Sequence, residues 1–99
     1  MLNINKTMQD QTAVFTLEGR LDTTTAPELE SAVKETLPGL TELVFDFAAL
    51  AYISSAGLRV LLAAQKAMNA QGKMTVKNVN DVIMEIFEVT GFSEILTIE

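Results

Sequence analysis

Two adjacent serines, Ser54 and Ser55, stand between an apolar run and a stretch of strong helix formers, and two aspartates, Asp22 and Asp46, fall at or near the ends of predicted strands elsewhere in the chain. A serine hydroxyl just ahead of a helix can do two things. It can cap the first turn, whose leading N–H groups have no intrahelical partner. It can also carry a phosphate, because free N–H donors and the positive end of the helix dipole meet the added charge there. Transfer or hydrolysis at serine would need a base held against it. The chain has no His, and neither Lys66 nor Lys73 stands in a recognisable motif with Ser55, so no catalytic residue is assigned.

Composition removes other chemistries. Without Cys or His there is no disulfide, no thiolate site and no imidazole ligand, and the carboxylates do not form an Asp-rich calcium loop, so no metal site is assigned. Neither glycine-rich phosphate motif is present, and no cofactor is expected. A net charge of −6 with only seven scattered basic residues disfavours nucleic acid or an anionic membrane as partner. No long apolar stretch suits a membrane span or a secretory signal, which points to the cytoplasm. The 48% hydrophobic content and mean hydropathy of +0.27 suit a packed core, and the length suits a single domain over residues 1–99.

The elements that position the serines follow from periodicity. Leu2–Lys6 alternates and Ala13–Leu17 is densely apolar, with Gln9-Asp10-Gln11 breaking them into a hairpin. Asp22-Thr23-Thr24-Thr25 offers caps for a helix starting near Thr25 or Ala26, with Pro27 in its first turn and Pro38-Gly39 past its end near Thr36. Leu43–Phe47 reads as a buried central strand. The next helix spans Gly57–Ala70 and is closed by Gly72, and Met74–Lys77 is a strand. Asn80 or Asp81 caps a third helix with Val82, Ile83, Ile86 and Phe87 on one stripe. A short strand or turn is expected near Ile95–Ile98. The fold class is α/β, a mixed sheet of four to five strands covered by three to four helices, in the order β-β-α-β-α-β-α plus a short C-terminal element.

On the helix after Ser55, Val60, Leu61, Ala64, Ala67 and Met68 form the predicted core stripe. Arg59, Gln65, Lys66 and Asn69 mark the solvated face, with Leu62 among them and Leu58 at their edge. Both leucines are therefore expected to be exposed, as a partner-binding patch beside Ser55; the alternative is that a wide buried stripe or a neighbouring loop covers them. Two readings are open for Asp22 and Asp46: a parallel sheet brings both towards the Ser55 loop, where Ser54 and Gly57 complete its surroundings, or both serve ordinary turn and capping chemistry.

Four ordered stretches resemble the STAS domain of bacterial anti-sigma factor antagonists. Gly19-Arg20-Leu21-Asp22 is similar to that family's Gly-x-Leu-Asp segment, and Val44-Phe45-Asp46-Phe47 to its central strand with an internal Asp. Tyr52-Ile53-Ser54-Ser55-Ala56-Gly57-Leu58 resembles the signature Asp-Ser-Ser-Gly-Leu, in which the first Ser after the Asp accepts phosphate. Glu88-Val89-Thr90-Gly91-Phe92 resembles the turn that ends the family's third main helix. The chain departs from the signature at Ser54, in place of Asp, and at Ala56, in place of the second Ser. Position in the motif carries the acceptor role to Ser55, with Ser54 the secondary candidate.

The resemblance implies a non-enzymatic partner switch. The unphosphorylated protein would bind an anti-sigma factor that is also a serine kinase and that carries the ATP. Phosphorylation of Ser55 would release it, and a separate serine phosphatase would restore binding. Transcription would be regulated through the sigma factor set free. The surface so implied takes in Thr24, Ser55, Leu58, Arg59 and Leu62. The alternative is a STAS scaffold or regulatory subunit that binds its partner constitutively in a signalling or transport assembly, for which Ser55 need not be modified.

Overall fold

The computed structural model describes residues 1–99. Strand β1 (Leu2–Gln9) pairs antiparallel with β2 (Thr12–Leu21) across a tight turn at Asp10 and Gln11. Asp10 takes a positive φ of 55°, a conformation that Asp tolerates better than most residues. Helix α1 (Ala26–Thr36) then leads to β3 (Glu42–Ile53), which lies parallel to β2. Helix α2 (Ser55–Gln71) returns to β4 (Lys73–Lys77), parallel to β3 on its other side. Helix α3 (Asp81–Thr90) and the one-turn α4 (Phe92–Ile95) follow. The sheet order is β1-β2-β3-β4. The short strand or turn expected near Ile95–Ile98 is one parallel bridge between Ile98 and Val76, and α4 takes up Phe92–Ile95 before it.

Strand alternation decides where the core lies. Ala13, Phe15 and Leu17 of β2, Leu43, Phe45 and Phe47 of β3, and Met74 and Val76 of β4 are buried. Their neighbours on the opposite face, including Val14, Thr16, Val44 and Asp46, are half-exposed. Phe15, Phe45, Phe47 and Phe87 form a chain of rings with centroids 5.7, 6.2 and 6.4 Å apart, which ties α3 to β3 and β3 to β2. Strand β3 runs on past Phe47 to Ile53. Three alanines in that stretch give no strand signal, but pairing with Glu18–Leu21 holds it extended.

Three expected faces are corrected. Leu58 is 6% exposed and Leu62 half-buried, so Leu58 is a core residue. Gln65, expected on the solvated face, is also 6% exposed, with its amide nitrogen donating to Asn69 Oδ1 at 2.9 Å and its Oε1 without a partner. A helix that lies on β3 and β4 and against α1 is covered over a wider arc than one apolar stripe indicates. In α3 the reverse holds. Ile83 and Phe87 are buried as expected, but Val82 is 58% exposed and Ile86 half-buried.

Candidate functional site

The ends of β2 and β3 are in register, with Leu21 opposite Ile53, and the Ser54 N–H donates to the Leu21 carbonyl at 2.9 Å. That link fixes the point at which α2 begins. Ser54 is extended, with φ −100° and ψ 177°, and is the cap, its Oγ accepting from the Gly57 N–H at a long 3.5 Å. The capping role that the sequence suggested for Ser55 therefore belongs to its neighbour. Ser55 is the first helical residue, is exposed, and its hydroxyl makes no hydrogen bond within the chain. No acidic residue occupies the first turn of α2.

Gly57 lets this helix end settle onto the strands. A Cβ there would lie 2.7 Å from Leu21 Cγ and 2.8 Å from Ile53 Cγ1, both core side chains. The close approach, and not an unusual φ, is what requires glycine.

Asp22 follows Leu21 directly and organises the neighbouring turn. Its Oδ1 accepts from the Thr24 hydroxyl at 2.8 Å, the Thr24 N–H at 3.0 Å and the Thr25 N–H at 3.2 Å. The Thr25 hydroxyl donates to the Arg20 carbonyl at 2.9 Å and accepts from the Asp22 N–H at 2.8 Å. The Thr24 hydroxyl is the largest influence holding the Asp22 carboxyl below its ordinary 3.8. Desolvation opposes it, and the backbone N–H groups of Thr25 and Thr24 add to it. Because the folded value lies below the unfolded one, this contribution to stability is present above pH 3.8 and is lost as pH falls through the folded value. Asp22→Asn is expected to melt below wild type at neutral pH and to converge with it in acid. A gap in melting temperature that ignores pH would uncouple Asp22 from folding.

Asp46 is not brought to this turn. It sits inside β3, opposite Thr16 and Lys77, where its Oδ1 accepts from Asn78 Nδ2 and from the Ala48 N–H, both at 3.0 Å. Asn78 first, then Ala48, hold its carboxyl below the ordinary value. Six residues lie between it and Ile53 on the same strand, roughly 20 Å of extended backbone. Asp46 locks the end of β4 instead, through an Asn78 held at a positive φ of 59°.

The sequence missed a cation at the site. The Arg20 guanidinium lies over the Tyr52 ring, 4.4 Å from its centroid, and its Nε is 3.9 Å from Asp22 Oδ2. Arg20 and Tyr52 are register partners across β2 and β3, a relation that no local pattern discloses. Between the starts of α1 and α2 lies a groove of about 280 Å³, lined by residues that include Thr23, Pro27, Glu30, Ala56 and Arg59. Arg59 is exposed, four residues after Ser55 on the same helix face, and Thr24 is exposed beside the Asp22 turn. Ser54, Ser55, Gly57 and Asp22 thus converge at the joined strand ends, whereas Leu58 lies in the core and Asp46 elsewhere.

The two leucines of α2 separate by stability. Leu58→Ala is expected to cost about 2–5 kcal/mol, as large-to-small core changes do. Leu62→Asp should cost clearly less in thermal melting, and equal losses would place Leu62 in the core as well.

A family model for the STAS domain matches residues 3–99. The anti-sigma-B factor antagonist of Staphylococcus aureus is 31% identical over 97 residues, covering 96% of this chain and 90% of that protein. In fold, the chain is similar to an anti-sigma factor antagonist from Mycobacterium paratuberculosis, at a TM-score of 0.89 and 22% identity over 99% of this chain and 85% of that one. It is also similar to the Bacillus cell fate determinant SpoIIAA in its phosphorylated form, at a TM-score of 0.78 and 18% identity over 98% and 91% of the two chains. With a four-stranded mixed sheet, the serine turn at its strand ends and a match along nearly its whole length, the chain belongs to the STAS domain family, among relatives named anti-sigma factor antagonists.

Proposed function

We propose that this chain is a cytoplasmic, non-catalytic partner switch that binds an anti-sigma factor with serine kinase activity and lets go when Ser55 is phosphorylated. The observation that carries this reading is the division of labour between the serines. Ser54 is occupied as the helix cap, which leaves the Ser55 hydroxyl exposed and unbonded at the first residue of α2. Phosphate added there meets the unpartnered N–H groups of the first helical turn and has Arg59 one turn along, so the fold accepts it. A partner seated over Ser55, Arg59, Thr24 and the exposed part of Leu62 would not. The modification adds about −1.5 to −2 charges beside Asp22, which already carries one, onto a surface that must be desolvated on binding. ATP belongs to the partner, and a serine phosphatase resets the switch.

The test has two parts. Wild type and Ser55→Ala are used to capture partners from the native host, and the purified kinase so obtained is given ATP. Phosphate mapped to Ser55, persisting in Ser54→Ala and absent from Ser55→Ala, is the expected result. Phosphate on Ser54 would reassign the acceptor, and capture of a transporter or membrane-assembly subunit would favour the constitutive scaffold.

A further inference from the structure

Helix α3 presents an apolar stripe to solvent. Val82 is 58% and Val89 77% exposed, and Ile86 is half-buried between them. At about 100° per residue these three fall within about 60° of one another on the helix. The stripe is centred about 110° round the helix from Ile83 and Phe87, which hold α3 to the core, and Ile86, its innermost member, packs against that core. Ile95, 46% exposed, adds to the apolar surface from α4, which packs against α3. Exposed Asp81, Glu85 and Glu88 line one flank of the stripe.

Charge is strongly segregated towards the C-terminal segment that carries this face. Residues 78–99 hold Asp81, Glu85, Glu88, Glu94 and Glu99 and no Lys or Arg, so five of the six net negative charges lie there and −1 is left for residues 1–77. None of the five is in an ion pair. The chain's salt bridges are Arg20 to Asp22, Lys34 to Glu30 and Lys73 to Glu42. Isolated apolar residues on a surface are ordinary. A helical stripe of them, edged by unpaired charge of one sign, is a surface with a complement.

We propose that the α3–α4 face is a second docking surface, separate in chemistry from the Ser55 turn, whose occupant is a basic amphipathic helix of a partner protein. Its apolar residues would cover Val82, Ile86 and Val89, and its Lys or Arg would meet Asp81, Glu85 and Glu88. The sign of the charge selects this occupant over the others. Anionic lipid would be repelled by the same carboxylates. A second copy docking the same face would set Asp81, Glu85 and Glu88 against their own copies.

An 18-residue synthetic peptide of Leu and Lys arranged with helical period is the probe, against a control of identical composition in scrambled order. Amide chemical shifts of the full chain should move on residues 81–95, and the periodic peptide should bind at least tenfold more tightly than the scrambled one. The double variant Val82→Ser, Val89→Ser alters two exposed side chains and should fold, with its own spectrum as the control. It should bind at least tenfold more weakly, as should wild type at high salt. Equal binding of the scrambled peptide, shifts centred on α2, or unchanged affinity of the double variant would overturn the proposal. So would self-association abolished by the same two substitutions, or preferential binding to phosphatidylglycerol vesicles.

Discussion

Ser55→Glu is expected to lower affinity for the proposed kinase partner by at least about 100-fold, since like charges brought together in an interface cost several kcal/mol and each 1.4 kcal/mol is a factor of about ten. Ser55→Ala, which removes a hydroxyl that bonds to nothing in the chain, should bind as wild type does. The fold should respond in the opposite direction. A carboxylate in the first turn of α2, where no acid now stands, is worth about 0.3–1 kcal/mol of added stability. The Glu variant should therefore melt at or a few degrees above wild type. Titration calorimetry and thermal melting on the same samples decide the matter. Lost binding together with a lowered melting temperature would mean that the substitution damages the helix start and says nothing about a switch.

Phe47→Ala should have the largest effect on stability. Phe47 is fully buried and stands between Phe45 and Phe87, at 6.2 and 6.4 Å, so it is the ring through which α3 is fastened to the sheet. Truncating a buried phenylalanine costs about 3–5 kcal/mol, against a total of about 5–15 kcal/mol for a domain. The melting temperature should fall by about 15–30 °C. Hydrogen exchange should speed up most in α3, because Phe87 loses its partner while β2 and β3 keep Phe15 against Phe45. A loss below about 1 kcal/mol would show that Ile83 and α4 hold the helix without the ring.

Most of the fold was legible because apolar spacing and turn chemistry are local. The hairpin break at Asp10, Pro27 near the start of α1, Asn80 as the cap of α3 and Gly91 at its end all appear where residue type dictates. What could not be read depends on contacts between distant segments. The extension of β3 through its alanines rests on pairing with β2. The burial of Leu58 and Gln65 rests on what lies against α2, and the exposure of Val82 on what does not lie against α3. The site divides in the same way. Gly57 and the serine pair stand in one short segment and were visible together, whereas the passing of the cap from Ser55 to Ser54 turns on a single backbone link to Leu21. Asp46 shows the limit most plainly. Its position at the edge of an apolar run suggested a strand end, and the strand continues past it.

The order of strands in the sheet is the order of strands in the chain. No strand has to be inserted between two that have already paired, so a chain emerging from the ribosome can lay the sheet down from one side to the other. The hairpin comes first, β3 is added once α1 has spanned the gap, and β4 once α2 has. Each stage leaves one open edge to accept the next strand. The last such edge, at β4, is capped where Val76 exchanges hydrogen bonds with Thr97 and Glu99 at 2.9 Å. Assembly by accretion pairs each strand only with its neighbours in the chain, across about 30 residues in two of the three pairings, and it covers the growing edge with the segment synthesised next, so that only the outer edge of β1 stays open.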